Sequence, residues 1–128
     1  GDKLSRLERA HEVGILSTAF AAGDMHSIWG FYNLCSNPLT ITEARIAINA
    51  HITYATQKQG LPTPFISASP YLEFARKFAV NPDEGIIEFK VPAWNLIDPS
   101  LQQHGQGLPL EVLVLGSVPP EDVIGFVA

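Results

Sequence analysis

The sequence predicts an α+β fold with a mostly antiparallel sheet. Helical patterns dominate its first half, and the most regular of them lies near the middle of the chain. Strand-like apolar runs come late, at residues 85–91, 111–115 and 123–128, with a loop at 92–108 and a turn at 119–122. Segregation of helices from strands along a chain favours an α+β fold over the alternating order of a parallel α/β sheet.

Size and composition limit the classes to which this chain can belong. Its 128 residues suit one core, so we expect a single domain over residues 1–128. The formal net charge of −5 argues against strong, phosphate-driven binding to DNA or RNA, although an enzyme acting on a single nucleotide stays open. The single cysteine, Cys35, excludes an internal disulfide. No apolar run reaches the roughly 18 residues of a membrane span, and the charged first residues are unlike a signal peptide.

The best-defined helix is predicted from Thr40 to about Gln57. Thr40 and Glu43 fit a capping box, in which each side chain bonds an unpaired amide of the first turn. Gly60 and Pro62 are expected to stop the helix. Its apolar residues recur at helical spacing: Ile41, Ala44, Ile48, Ile52 and Ala55. Less regular segments precede it: residues 7–11 as a short strand or a helix start, the apolar residues 15–22, and residues 24–39 as a helix or a packed loop.

A strand and a helix are predicted to meet at the serines of FISAS, residues 65–69. Ser69 suits the N-cap of the helix, and Pro70 suits its first position because proline lacks an amide proton. Asn81-Pro82-Asp83 is expected to end the helix. One face of this helix is apolar: Tyr71, Phe74, Ala75, Phe78 and Ala79.

Two polar positions beside the strands are candidates for function. Glu111 stands directly before an apolar strand, where a carboxylate costs free energy to bury without a partner. Position alone favours a solvated carboxylate, and the functional alternative is a carboxylate that faces a cleft. Ser67 and Ser69 point to the same side of their strand, because side chains alternate with period two. Since Ser69 has a local capping role, Ser67 is the better candidate for a site.

Other chemistries find little support in the sequence. The four histidines lack metal-ligand spacing, so we expect no metal site. His51 taken alone is more simply a helix-surface or capping histidine than a ligand. The motifs of a serine nucleophile elbow and of phosphate-binding glycine loops are absent, and Cys35 has no recognisable histidine partner.

Three segments together resemble the ADP-ribosyltransferases of the cholera-toxin and pertussis-toxin type, the Arg–Ser–Glu group. LERAH at residues 7–11 is similar to the first strand of that group. FISAS at residues 65–69 is similar to its Ser-Thr-Ser strand, with Ala68 in place of threonine. EVLVLGSVPPEDVIGFV at residues 111–127 is similar to the strand that starts with the catalytic glutamate and to the turn and strand that follow. Residues 48–79 also resemble a domain of fungal proteins in the same superfamily, where a histidine-bearing helix leads into a TPFIS strand.

The resemblance implies split antiparallel sheets with helices, and NAD held in the cleft between them as the substrate. Arg9, or alternatively Arg6, would bind the NAD phosphates or ribose. Ser67 would hold the geometry around Glu111, which would hydrogen-bond the 2′-hydroxyl of the nicotinamide ribose. The bond to nicotinamide would then break through an oxocarbenium-like state that the carboxylate stabilises. Further NAD contacts implied by the resemblance are the backbone of Ala10, the side chain of His51, and stacking by Tyr71 or Phe74.

One position departs from the arginine-modifying members of the group, which carry a second glutamate two residues before the catalytic one. Here that position is Pro109, which offers no side-chain hydrogen bond. A mono-ADP-ribosyltransferase with an unknown protein or nucleic-acid acceptor is favoured. An NAD glycohydrolase that uses water, and a binding domain that has lost catalysis, stay open. For a transferase, the acceptor would be recognised by polar residues of the loop in place of the missing glutamate: Gln102, Gln103, His104 and Gln106.

The same resemblance carries expectations about partners and place of action. It implies a toxin or effector that is secreted or delivered into the cytosol, with a cognate inhibitor protein as a further partner and no membrane association. The sequence itself leaves the compartment open.

Overall fold

A computed structural model describes residues 2–78, 85–92, 95–97 and 111–127 of the chain. Over these residues the protein is α+β with antiparallel pairing, as predicted. The helices are α1 (Asp2–Val13), α2 (Thr18–Ala21), α3 (Met25–Cys35), α4 (Ile41–Ile52), α5 (Ala55–Lys58) and α6 (Leu72–Phe78). The strands are β1 (Ile15–Leu16), β2 (Phe65–Ala68), β3 (Ile86–Phe89), β4 (Val112–Leu115), β5 (Ser117–Val118) and β6 (Val123–Val127). Short 3₁₀ turns occupy Pro38–Thr40 and Pro120–Asp122.

Within the described residues the strands form three antiparallel pairs, which are β1 with β5, β2 with β4, and β3 with β6. The β2–β4 pair is the one that positions the candidate site. Phe65 lies opposite Leu115, and Ser67 lies opposite Leu113. Residues directly opposite each other in an antiparallel pair project to the same face. This face therefore carries apolar residues at one end and a serine at the other.

The hydrophobic core fills the space between α3, α4 and that face of the β2–β4 pair. The rings of Phe31 and Phe65 meet edge to face with their centroids 4.7 Å apart, a favourable arrangement of aromatic quadrupoles. Leu113 is fully buried beside them. The buried members of the cluster are Phe31, Ala44, Ile48, Phe65, Ile97 and Leu113.

Residues 7–11 are helical, so the strand expected there from the resemblance is wrong. They lie inside α1, a segment rich in the good helix formers lysine, arginine, glutamate and leucine. Gly14 ends the helix with a φ of +87°, and its amide donates to the carbonyl of Ala10 at 2.8 Å. A glycine in the left-handed region is the usual way to satisfy the last carbonyls of a helix. The neighbours of α1 are the 120–122 turn and β6.

The central helix starts where predicted but is capped differently and ends earlier. The Thr40 hydroxyl makes no cap bond and donates instead to the carbonyl oxygen of Leu34 at 2.8 Å, so the capping box with Glu43 is wrong. The helix stops at Ile52, and Tyr54 takes a left-handed conformation with φ 61°. The predicted single helix is therefore two helices, α4 and α5, joined by a sharp turn.

The FISAS strand is confirmed, and the helix after it starts two residues late. Ser69 accepts a hydrogen bond from the amide of Tyr71 at 3.1 Å, and α6 begins only at Leu72, so Pro70 is not its first residue. Part of the expected loop lies against the sheet, since Leu96 bridges Val114 and the side-chain nitrogen Nδ2 of Asn95 donates to the Ser117 carbonyl. The predicted helix end at residues 79–83 and the loop residues 98–108 lie outside the described residues.

Candidate functional site

His51 lies at the centre of the candidate site and is buried, with only 7% of its surface exposed. The expectation of a helix-surface or capping histidine is therefore wrong. The reason is its position on α4, where Ala44, Ile48 and His51 follow one another at spacings of four and three residues on the buried face. The three-residue spacing from Ile48 is the signal in the sequence that could have placed His51 on the apolar stripe of the helix.

Both ring nitrogens of His51 have polar partners from neighbouring segments. Nε2 lies 2.8 Å from the hydroxyl oxygen of Ser67, and Nδ1 lies 2.8 Å from the hydroxyl oxygen of Thr63. The ring also meets Phe65 edge to face, with centroids 5.4 Å apart. Burial lowers the pKa of His51 below its ordinary value, because the charged form loses its hydration. The imidazole is therefore neutral at pH 7.

Thr63 is fixed by the start of α2. Its amide donates to the hydroxyl oxygen of Thr18 at 2.8 Å, and its carbonyl accepts from the amide of Ala19 at 3.0 Å. The threonine is itself buried at 4% exposure. A segment 45 residues earlier in the chain thus orients the group that orients His51. No local pattern in the sequence identifies Thr18 or Thr63 as part of a site.

Ser67 stands at the border between the core and solvent. Ser67 is exposed, although Leu113 on the opposite strand is fully buried. The hydroxyl is held from the protein side by His51 and is open on the other side. Ser67 is therefore the predicted serine that the structure builds into a polar network.

Glu111 directly precedes β4, one residue beyond the paired register. Ala68 lies opposite Val112, so extending the register by one residue sets Glu111 opposite Ser69 and diagonal to Ser67. Diagonal neighbours on one face of an antiparallel pair are about 7–8 Å apart, within reach of one bound ribose. Glu111 is half-buried. The structure thus joins a buried histidine to an exposed hydroxyl on β2, and the register sets a carboxylate one residue beyond the same end of the β2–β4 pair.

Ser69 and the two aromatic candidates, Tyr71 and Phe74, follow β2 in the turn and in α6. The Ser69 oxygen accepts from the Tyr71 amide, a bond within the turn ahead of α6 rather than the predicted N-cap of the helix. Tyr71 is 55% exposed ahead of α6, and Phe74 is half-buried within it. Stacking of either ring on nicotinamide stays a prediction.

Arg9 and Ala10 do not occupy the strand that the resemblance assigned to them. Arg9 is exposed on α1, and Ala10 is buried with its carbonyl accepting the amide of Gly14. A backbone that is buried within a helix does not present the open strand edge that the resemblance uses to grip a nicotinamide amide. Arg6 lies on the same helix, so exchanging one arginine for the other does not restore the strand. The short strand β1, which pairs with β5, carries Ile15 and Leu16 and no arginine.

The other sequence-based candidates divide between the described residues and the rest. Pro109 and the four loop residues proposed for acceptor recognition lie outside the described part of the chain. Burial raises the pKa of the Cys35 thiol, which disfavours the reactive thiolate. Among the described residues no three His, Cys, Asp or Glu side chains cluster closely enough to hold a metal ion. No helix in the described ranges is long and apolar enough to cross a membrane.

Comparison of the chain with protein-family models, with curated proteins and with solved structures gives no match.

Proposed function

We propose that the protein is an NAD-consuming enzyme of the ADP-ribosyltransferase type. It cleaves the N-glycosidic bond between nicotinamide and ribose and passes ADP-ribose to an acceptor. The observation that supports this best is the Ser67 hydroxyl held by His51 on β2, at the end of the β2–β4 pair where Glu111 directly precedes β4.

This pair of groups suits a reaction in which positive charge develops on a sugar. Cleavage of the nicotinamide bond proceeds through an oxocarbenium-like ribose, and a fixed carboxylate lowers the energy of that state more than it lowers that of neutral ribose. Glu111 accepts the ribose 2′-hydroxyl proton in a hydrogen bond and faces the developing charge. Ser67 supplies a hydroxyl beside the carboxylate and keeps the ribose in register. The reaction needs no serine nucleophile and no metal.

Hydrolysis of NAD is the second candidate. The exposed position of Ser67 leaves the ribose side of the site open to water. The second acidic group of arginine-modifying enzymes is replaced by Pro109 in the sequence, so an arginine acceptor has no obvious partner. Water as the acceptor fits both features.

The first experiment measures release of nicotinamide from NAD by the purified protein. We expect release by the wild type and a loss of about 100- to 1000-fold in Glu111→Gln, the usual effect of removing one group aimed at transition-state charge. Glu88→Gln is the matched control, because Glu88 is exposed on β3 in a different strand pair. No release by the wild type at high enzyme concentration refutes the proposal. Saturable NAD binding by calorimetry without turnover would instead identify a binding domain.

A comparison of two serine variants tests whether Ser67, rather than Ser69 in the neighbouring turn, takes part in the reaction. Ser67→Ala removes the hydroxyl beside Glu111, and we expect kcat to fall by about tenfold or more with the fold retained. Ser69 also lies opposite Glu111 in the extended register, but its oxygen already accepts the Tyr71 amide, so we expect Ser69→Ala to lower kcat less than Ser67→Ala does. Equal losses in both variants would contradict the assignment of Ser67. Labelled NAD then separates the two candidates, since transfer labels a protein or nucleic acid and hydrolysis yields free ADP-ribose.

A further inference from the structure

The turn between α4 and α5 returns the chain onto His51. Tyr54 has φ 61°, a left-handed conformation that is strained for a non-glycine residue. The turn places Gln57, six residues after His51, beside both its backbone and its ring. The side-chain nitrogen Nε2 of Gln57 lies 3.2 Å from the His51 carbonyl oxygen and 3.3 Å from His51 Nδ1. A strained residue thus holds an amide against the buried imidazole.

The hydrogen-bond partners decide which way the Gln57 amide faces. The His51 carbonyl only accepts hydrogen bonds, so the nearby amide atom has to be the donor nitrogen. Its oxygen Oε1 is buried and has no partner among the described residues. A reversed amide would bring two oxygens to 3.2 Å and leave a buried NH₂ group unpaired, which is worse on both counts.

The same contacts decide which ring nitrogen of His51 carries the proton. A hydrogen bond from the Gln57 amide across the 3.3 Å to Nδ1 requires a lone pair on Nδ1, because an amide nitrogen only donates. Thr63 is compatible with this, because its hydroxyl donates to Nδ1 at 2.8 Å while its oxygen accepts the Phe65 amide at 3.4 Å. The proton of the neutral imidazole is then on Nε2, which donates to Ser67 at 2.8 Å.

We propose that Gln57 is a positioning residue that, together with Thr63, holds His51 in the Nε2-protonated tautomer. In this tautomer the Ser67 oxygen accepts from His51, and its own proton is directed to the open side, toward the ribose and Glu111. The arrangement excludes His51 as a general base for Ser67, because the nitrogen that faces the serine has no free lone pair. The catalytic consequence rests on the proposed function, whereas the tautomer itself does not.

The tautomer is read directly by nuclear magnetic resonance on ¹⁵N-labelled full-length protein. Long-range correlations of the imidazole protons distinguish a protonated from an unprotonated ring nitrogen. His51→Gln identifies the signals, since the chain has four histidines. We expect an unprotonated Nδ1 and a protonated Nε2 in the wild type at pH 7.5. A protonated Nδ1 with a free Nε2 would overturn the inference.

Gln57→Glu tests the role of the amide. A carboxylate beside Nδ1 accepts rather than donates, so we expect Nδ1 to become protonated. Gln57→Met, of similar length and without donors, should let the Nδ1-protonated form appear beside the original one. If Gln57→Glu fails to fold, which a thermal melt shows, the methionine variant decides. A spectrum of the His51 ring unchanged from the wild type in the folded variant overturns the role of Gln57.

Turnover separates a failure of this inference from a failure of the proposed function. With NAD as substrate we expect Gln57→Glu to lower kcat by about tenfold and to leave KM near the wild-type value, since a misdirected Ser67 proton affects the bound state. An inactive wild type with the expected tautomer refutes the function and keeps the inference. An active wild type with a protonated Nδ1 refutes the inference and keeps the function.

Discussion

Thr63→Val isolates the buried hydroxyl that orients His51. Valine has nearly the shape of threonine, so the substitution removes the hydroxyl without opening a cavity. The bond lost is short, at 2.8 Å to Nδ1 of a histidine that is 7% exposed. The longer contact to the Phe65 amide, at 3.4 Å, contributes less. His51 Nδ1 would be left with the Gln57 nitrogen at 3.3 Å as its partner.

The magnitude follows from these contacts. Leaving a buried polar atom poorly satisfied costs about 1–3 kcal/mol, and the added methyl group recovers up to about 0.8 kcal/mol of apolar burial. We therefore expect Thr63→Val to lower the free energy of unfolding by about 1–2 kcal/mol. With a urea m-value of roughly 2 kcal/mol/M, the midpoint would move down by about 0.5–1 M.

The assay is equilibrium unfolding in urea followed by far-ultraviolet circular dichroism. Thr53→Val is the matched control, because the Thr53 hydroxyl also makes a 2.8 Å bond, to the Asn49 carbonyl, but the residue is exposed. We expect that control to stay within about 0.5 kcal/mol of the wild type. Equal midpoints for Thr63→Val and Thr53→Val, with unchanged m-values, would refute the claim that the Thr63 hydroxyl supports the buried histidine.

Three further predictions follow from single positions. Burial lowers the pKa of His51 in the folded state, so the unfolded chain binds a proton first as the pH falls. The contribution of His51 to stability should be full above about pH 6.5 and should decline below it by at most about 1.4 kcal/mol per pH unit. Urea midpoints measured from pH 8 to 5 check this, and the pH dependence due to His51 should vanish in His51→Gln. Tyr54→Gly removes the strain of a left-handed, 59% exposed tyrosine, so we expect the free energy of unfolding to rise by about 1 kcal/mol. A fall would show that contacts of the tyrosine ring stabilise the fold by more than the strain costs. Gly14→Ala should destabilise by at least about 2 kcal/mol in the same assay, because its Cβ would overlap the Val118 carbonyl oxygen at a positive φ, and a variant as stable as the wild type would contradict this helix end.

The sequence predicted those elements whose cause is local. FISA and VLVL are short apolar runs between turn residues, and both are strands, β2 and β4, in the structure. The central helix was predicted from its apolar spacing, yet its end was not. Tyr54 is an unusual residue for a left-handed turn, and only the contacts of the following helix with His51 account for that turn. Residues 7–11 were ambiguous between strand and helix because short charged segments carry no clear period.

The candidate site divides in the same way. Ser67 and Glu111 were identified from the sequence, since a polar residue next to an apolar strand is visible without a structure. The tertiary structure decided that the strand of Ser67 pairs with the strand that Glu111 precedes, because the register of β2 against β4 joins segments more than forty residues apart.

The sequence by itself determined the α+β class, the strands at FISA and VLVL, and the serine and glutamate at their ends as candidates, because these depend on period and on neighbours along the chain. The tertiary structure decided that the buried His51 holds Ser67, that Thr63 and Gln57 hold His51, and that Arg9 lies on a helix. Burial and hydrogen bonding between distant segments determine these roles, and a one-dimensional pattern does not record which segments meet.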